Sequence, residues 1–193
     1  MKPSAPAVAA TADFVAVHLA DTAQDRRLID SFSAGKNAKG LEIYLKNCAL
    51  ADETANESRT YLVKDSVTGE LACYFSLRAC LIPLPLEAGL FTTVPAVELA
   101  NFAVNDNYRP TQRSAKGIGA YVFLEFILPF ALRSASFVAA KWLCIYALPE
   151  PKLLDYYHKN LGFSRLPPEK ESFVYGHVKP KYDQGCIFMY QPL

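Results

Sequence analysis

Val97–Val104 reads VELANFAV, Thr111–Gly119 reads TQRSAKGIG, and a long apolar segment, Ala120–Val138, follows. The first is an apolar run of strand length. The second is basic and carries two glycines one residue apart, and the third holds large apolar residues at Phe123, Leu124, Ile127 and Leu128. Strand, Gly-x-Gly loop and helix in that order gather main-chain N–H groups and a helix N-terminus at one point, which is what binding a phosphorylated cofactor requires. The loop lacks the G-x-G-x-x-G of a dinucleotide fold, since position 122 is Val122, and it lacks the G-K-[ST] of a nucleotide P-loop. Taken alone, such glycines can also be only a turn.

Outward from this stretch, Lys141–Leu148 (KWLCIYAL) is a strand suited to cover on both faces. PEPKLLDYYHKNL reads as a helix that begins at proline and stops at Gly162, and VYGHVKPKYDQGCIFMYQPL supplies the last strand or strands. Upstream, FVAVHL is a first strand, and Leu41, Tyr44, Leu45 and Cys48 recur at the spacing of one buried helix face. ALADETANESR reads as polar and turn-like. TYLVKD and ELACYFSLRACLI form a hairpin across SVTG, and a connection containing Pro83, Pro85, Gly89 and Pro95 leads back to Val97. Pro129 is expected to kink or interrupt the helix after Gly117.

A chain of 193 residues suffices for one well-buried domain and is short for two. With 51% hydrophobic and 20% charged residues it is globular, and the expectation is a single domain over residues 1–193 with 1–13 outside the ordered part. A formal net charge of +1 excludes a strong general attraction to nucleic acid or anionic membrane. Cys48, Cys73, Cys80, Cys144 and Cys186 show no ligand spacing, and three of them lie in apolar runs. They read as free structural thiols, without metal, in a reducing compartment. Pro3, Pro6 and Asp13 interrupt any leader-like core, and Glu125, Arg133 and Lys141 divide the longest apolar region into pieces too short to span a bilayer. A soluble cytoplasmic protein, with no membrane partner, is the expectation.

ELANFAV, AKGIGA, WLCIYAL and YYHKNLGF occur in that order at suitable distances. This ordered set resembles the GNAT superfamily of acyl-CoA-dependent N-acetyltransferases over roughly residues 60–193. The resemblance implies an α/β (α+β) fold with a mixed, mainly antiparallel central sheet flanked by helices, and acetyl-CoA as cosubstrate. It implies main-chain pairing of Phe102, Ala103 and Val104 with the pantetheine arm. The pyrophosphate would lie on N–H groups of Lys116, Gly117, Ile118, Gly119 and Ala120. Ser114 departs from the family's basic or Gln position, and Tyr108-Arg109 looks like its Y-R pair displaced by an insertion, so Arg109, Arg113 and Lys116 are each candidates for the cationic contact.

Acetylating an amine needs a neutral nucleophile and a proton donor for the departing thiolate. The resemblance puts Tyr157 in the donor role and Tyr156 in a packing role, although HKNLGF is one residue longer than the common form. Glu98, on the strand expected to border the substrate cleft, is the candidate base, with a solvated glutamate and water-mediated deprotonation as alternatives. His18, His158 and His177 are isolated and read as surface or turn histidines.

Phe32, Gly35, Leu41, Tyr44, Leu45, Ala49, Thr60, Tyr61 and Tyr74 follow the outline of the superfamily branch that contains toxins acetylating aminoacyl-tRNA. The sequence ranks a small-molecule or peptide amine first as acceptor. Such a toxin, with tRNA and an antitoxin as partners, comes second, and a non-catalytic acyl-CoA-binding protein third. Arg109, Arg113, Lys116, Lys159, Arg165 and Lys170 could line a tRNA groove, but CoA phosphates already explain basic residues near that site. A homodimer is a further expectation.

Overall fold

The computed structural model describes residues 9–109, 117–178 and 185–193. Among the described residues six strands form one sheet in the order β1-β2-β3-β4-β5-β6. They are β1 (Phe14–His18), β2 (Arg59–Asp65), β3 (Leu71–Pro85), β4 (Phe91–Val104), β5 (Trp142–Ala147) and β6 (Ile187–Pro192). The β4–β5 pair is parallel, while β1–β2, β2–β3 and β5–β6 are antiparallel. The mixed, mainly antiparallel sheet with flanking helices is the architecture that the sequence led us to expect. Contacts divide the chain into two compact units, residues 1–77 with 101–127 and residues 78–100 with 128–193.

In the first unit, α1 (Ala23–Asp30) starts where Thr22 Oγ1 accepts the Asp25 N–H at 3.1 Å, satisfying one of the donors a helix start leaves over. Helix α2 (Lys39–Asn47) buries Tyr44 and Leu45 and sets Leu41 and Cys48 against a core of Phe32, Leu62, Leu71 and Tyr74, so the four-residue face read from the spacing is the packed one. The β2–β3 turn is the expected SVTG. Asp65 Oδ1 accepts the N–H groups of Val67 and Thr68, and Gly69 takes the positive φ of 72° that closes the turn. ALADETANESR differs from expectation: Ala49–Thr54 is helix α3, anchored by fully buried Ala49, and only the residues after it turn. Ahead of β1, Ala10 bridges Val15 and Thr11 Oγ1 donates to Phe14 O.

In the second unit, the connection expected around Pro83, Pro85 and Pro95 is instead strand, with β3 running through Pro85 and β4 starting at Phe91. The actual turn is short, with Ala88 and Gly89 at φ of 57° and 74°. Strand β5 is covered by neighbours on both sides, and α6 (Pro151–Leu161) ends at Gly162, whose φ is 76°. VYGH, expected in a strand, belongs to α7 (Pro168–His177), which buries Val174 with Ile82, Ala96, Cys144 and Phe188. Pro167 and Pro168 favour that helix start because the first N–H groups of a helix need no internal partner.

One helical run follows Gly117: α4 (Ile118–Val122), a π-helical turn (Phe123–Ile127) and α5 (Leu128–Val138). The wide turn precedes Pro129, which has no N–H to give, so the interruption falls where proline predicts it. At 21 residues and a mean hydropathy of 1.5 the run is long and apolar enough, by length and composition, to cross a membrane. Glu125 and Arg133 sit inside it without dividing it, contrary to the reading of the sequence.

Candidate functional site

In the first unit, the end of β4 alternates strictly. Ala103 lies in the core, whereas Phe102 and Val104 are half-buried on the other face, toward Gly119. A Cβ built on Gly119 would stand 3.8 Å from Val104 Cγ2 and 3.9 Å from Phe102 Cζ, ordinary contact distances. The protein itself therefore leaves room for a side chain at 119. Gly117, at φ 86°, caps α4 in a left-handed conformation, and Tyr121 N–H donates to its carbonyl at 3.0 Å. The N–H groups of Ile118, Gly119 and Ala120 precede that bond in the first turn, where a helix offers donors and positive potential to an anion.

Arg113 and Lys116, two of the expected phosphate contacts, lie outside the described residues. Arg109 is exposed, and its Nη1 donates to the carbonyls of Asp106 at 2.5 Å and Tyr108 at 2.9 Å, so it braces its own turn. Tyr108 is 4% exposed and its hydroxyl donates to Asp65 Oδ2 at 2.5 Å. Burial, with the Asp65 carboxylate adding, pushes that phenol well above its ordinary range.

The same turn is tied to the segment after α1. Ser33 N–H donates to Asn105 Oδ1 at 3.1 Å, Asp106 N–H donates to Ser33 O at 2.7 Å, and Asn105 Nδ2 donates to Leu71 O at 2.7 Å. Gly35 holds a φ of 74°, and any Cβ there would collide with the Asp106 carboxylate. The Phe32–Gly35 stretch is thus a clasp on the end of β4.

In the second unit, Tyr157 is partly buried on α6, with its ring edge-on to Phe163 at 5.7 Å and to Tyr156 at 6.3 Å. The N–H groups of Gly162 and Phe163 both point back to the Tyr157 carbonyl, so the LGF turn fixes the tyrosine's backbone. Burial, with Tyr156 adding, pushes the Tyr157 phenol up to about 12, and it stays protonated at neutral pH. His158 contacts the Phe163 carbonyl through Nδ1 at 2.8 Å and His177 contacts that of Phe173, which are turn and helix-end roles. His18 lies beside Glu53 instead.

Glu98 is 4% exposed and held by Arg78 in a two-point ion pair, Nε to Oε2 at 2.9 Å and Nη2 to Oε1 at 2.8 Å. Both carboxylate oxygens are engaged by a permanent cation in a two-point pair. The β4–β5 ladder pairs Ala96, Val97 and Glu98 with Trp142, Leu143 and Cys144 and ends there, while β5 continues to Ala147. Sequence reasoning singled out Glu98 and missed its partner Arg78. An arginine in the middle of the apolar run LACYFSLRACLI was the available signal, since a charge in such a strand needs an opposite charge nearby.

Among the described residues no three or more His, Cys, Asp or Glu side chains gather as a metal site. No protein-family model and no curated protein matches the chain. Solved structures do. A tyrosine-to-phenylalanine variant of the AtaT toxin superposes with a TM-score of 0.68 at 18% identity, over 95% of this chain and 92% of that one. A tyrosine-to-phenylalanine variant of KacT gives 0.66 at 18% identity, over 93% and 95%. AtaT complexed with acetyl-methionyl-tRNAfMet gives 0.64 at 17% identity, also over 93% and 95%. At such identities the likeness speaks for the backbone, over nearly the full length of both chains, and the chain has the GNAT-type fold of these toxins.

Proposed function

We propose that this protein is an acetyl-CoA-dependent N-acetyltransferase whose acceptor is the amino group of an aminoacyl-tRNA. The observation that carries the reading is the coverage: the likeness to AtaT with acetyl-methionyl-tRNAfMet takes in 93% of the chain. It thus extends to the N-terminal half, where Phe32, Gly35, Tyr44 and Tyr74 follow the toxin-branch outline. Another similar structure, at 20% identity, is AtaT with its antitoxin AtaR and acetyl-CoA. This ranking places the aminoacyl-tRNA acceptor ahead of the small-molecule or peptide amine favoured by sequence alone.

In this reading the N–H groups at Ile118–Ala120 take the pyrophosphate, and main-chain groups of Phe102 and Val104 pair with the pantetheine arm. The neutral amine attacks the thioester carbonyl carbon and the C–S bond then breaks. Tyr157 gives its hydroxyl proton to the departing thiolate, and the new amide nitrogen loses its proton to water, which restores the tyrosine. Glu98, engaged by Arg78, is not needed as base. Arg109, Arg113 and Lys116 are the candidates for the cationic contact to the phosphates.

The test is transfer of labelled acetyl from acetyl-CoA to a pool of charged tRNA, with deacylated tRNA and simple amines beside it. Label on charged tRNA together with growth arrest on expression in bacteria is the expected result. Label on small amines alone would return the acceptor to the small-molecule class, and CoA binding without turnover would make the protein a binding module.

A further inference from the structure

The glycine that ends α6 closes a turn one residue wider than the ordinary stop. In the common left-handed stop the glycine N–H returns to the carbonyl four residues back, or the N–H of the next residue to the carbonyl five back. Here Gly162 N–H returns to Tyr157, five back, and Phe163 N–H returns to the same carbonyl, six back, at 3.0 Å. The extra residue of HKNLGF is therefore taken up inside the last turn, and the carbonyl that receives the stop is that of Tyr157. Widened turns are rare in helices because their hydrogen-bond geometry is poorer, so this one gains from a tie outside the helix ladder.

His158 supplies that tie. Its Nδ1 lies 2.8 Å from the Phe163 carbonyl oxygen, across the turn. A carbonyl oxygen can only accept, so Nδ1 carries the proton in the neutral and in the charged ring alike. Phe163 is thereby held at both of its main-chain polar groups, its N–H by Tyr157 and its C=O by His158. Its ring is fully buried and stands edge-on to the Tyr157 ring at 5.7 Å. The next residue, Ser164, exchanges two main-chain bonds with Tyr190 of β6, at 2.8 and 2.9 Å, so the turn is fastened to the sheet. The His158 side chain is exposed, and a change there spares the core.

We propose that His158 is a positioning residue for acetyl transfer. Its Nδ1–H clamps the widened last turn of α6 onto Phe163 and so fixes the ring and hydroxyl of Tyr157 for protonating the thiolate. This rests on the reading of Tyr157 as the proton donor. The clamp needs a donor at the δ position, which predicts its own pattern of rescue: the amide nitrogen of asparagine stands as many bonds from the backbone as Nδ1, whereas that of glutamine stands one bond farther out.

The experiment compares wild type with His158→Ala, His158→Asn and His158→Gln, each also combined with Tyr157→Phe, by kcat on charged tRNA and by NMR of the protein labelled with ¹³C in its tyrosine rings. The Tyr157 signal is the one that Tyr157→Phe removes. His158→Ala should lower kcat by about three- to tenfold, the effect of one hydrogen bond, with acetyl-CoA affinity unchanged, and should displace the Tyr157 ring signal. His158→Asn should recover most of both and His158→Gln neither. Combined with Tyr157→Phe, His158→Ala should cost nothing further, because a residue that acts through Tyr157 has no effect once the hydroxyl is gone. An unmoved ring signal in His158→Ala, a loss that persists in full beside Tyr157→Phe, or equal rescue by Asn and Gln overturns the assignment and leaves the donor role of Tyr157 standing. Wild-type kcat in Tyr157→Phe overturns the donor role instead. The clamp on the Tyr157 ring then stands if His158→Ala displaces the ring signal and His158→Asn restores it, and falls if the signal does not move. Turnover of small amines in place of charged tRNA overturns the acceptor reading alone, since the same series run on those amines decides the clamp.

Discussion

Arg78 grips both oxygens of Glu98, at 2.9 and 2.8 Å, in the middle of a strand pair that is otherwise uncharged. Removing one partner leaves the other charge in a site shaped for a pair. Glu98→Gln should therefore cost stability, about 3 kcal/mol at most for a pair this far buried, and Arg78→Met combined with Glu98→Leu should recover much of the loss. Urea unfolding of the single and double variants checks this. Unchanged stability in Glu98→Gln would mean that the pair contributes nothing to the fold.

Gly117 and Gly119 separate backbone strain from ligand approach. Gly117 sits at φ 86°, so Gly117→Ala should lower stability by about 1 kcal/mol through the left-handed conformation alone. Position 119 is helical, and a methyl group there would meet Val104 and Phe102 at ordinary distances. Gly119→Ala should leave the melting temperature equal or higher while weakening CoA, and Gly119→Val should abolish CoA binding. Calorimetric titration with CoA beside thermal melts tests both. Unchanged CoA affinity in Gly119→Val would remove the pyrophosphate from this loop.

The difference between these two glycines was not legible in AKGIG, because spacing marks both alike and only φ distinguishes them. The order strand, loop, helix, strand, helix was legible, since each element carries its own period and the stops at Gly69 and Gly162 occur where left-handed φ is needed. What misled was local composition. ALADETANESR is polar because α3 faces solvent, yet buried Ala49 and the Glu53 hydrogen bonds to β2 dock it. Pro83, Pro85 and Pro95 look like breakers, but a strand tolerates proline wherever no ladder N–H is required. Glu98 was found for being a carboxylate in an apolar strand, and its ion pair with Arg78 is a long-range fact that no spacing encodes.

Tyr157 and Tyr156 are adjacent on α6, and their environments set their roles. Tyr157 stays protonated, at about 12, across any practical assay range, so Tyr157→Phe should lower kcat by about 10²- to 10⁴-fold, while Tyr156→Phe should change it little. For the same reason no alkaline limb below about pH 10 should belong to Tyr157. Single-turnover rates of both variants across pH decide this, and a larger loss in Tyr156→Phe would move the donor role one residue back.

Glu53 joins α3 to the start of β2 and to His18. Its Oε2 accepts the Thr60 N–H at 2.9 Å, its Oε1 accepts from Arg59 Nη1 at 2.6 Å, and His18 Nε2 stands 2.9 Å away in ion-pair rather than hydrogen-bond alignment. Burial pushes the Glu53 carboxyl up, but His18, the Thr60 N–H and Arg59 more than reverse it, so its folded value lies below the ordinary 4.5. A carboxyl lowered on folding contributes stability that is fully present above the unfolded value. The contribution is lost as pH falls through the folded value, when the proton that the native state resists is finally taken up. Glu53→Gln should therefore unfold at lower urea than wild type at pH 7, and the two curves should converge as pH falls below about 4. Urea midpoints measured from pH 7 to pH 3 check it. A gap that persists unchanged at pH 3 would mean that Glu53 acts through packing and the Thr60 hydrogen bond, and that its charge contributes nothing.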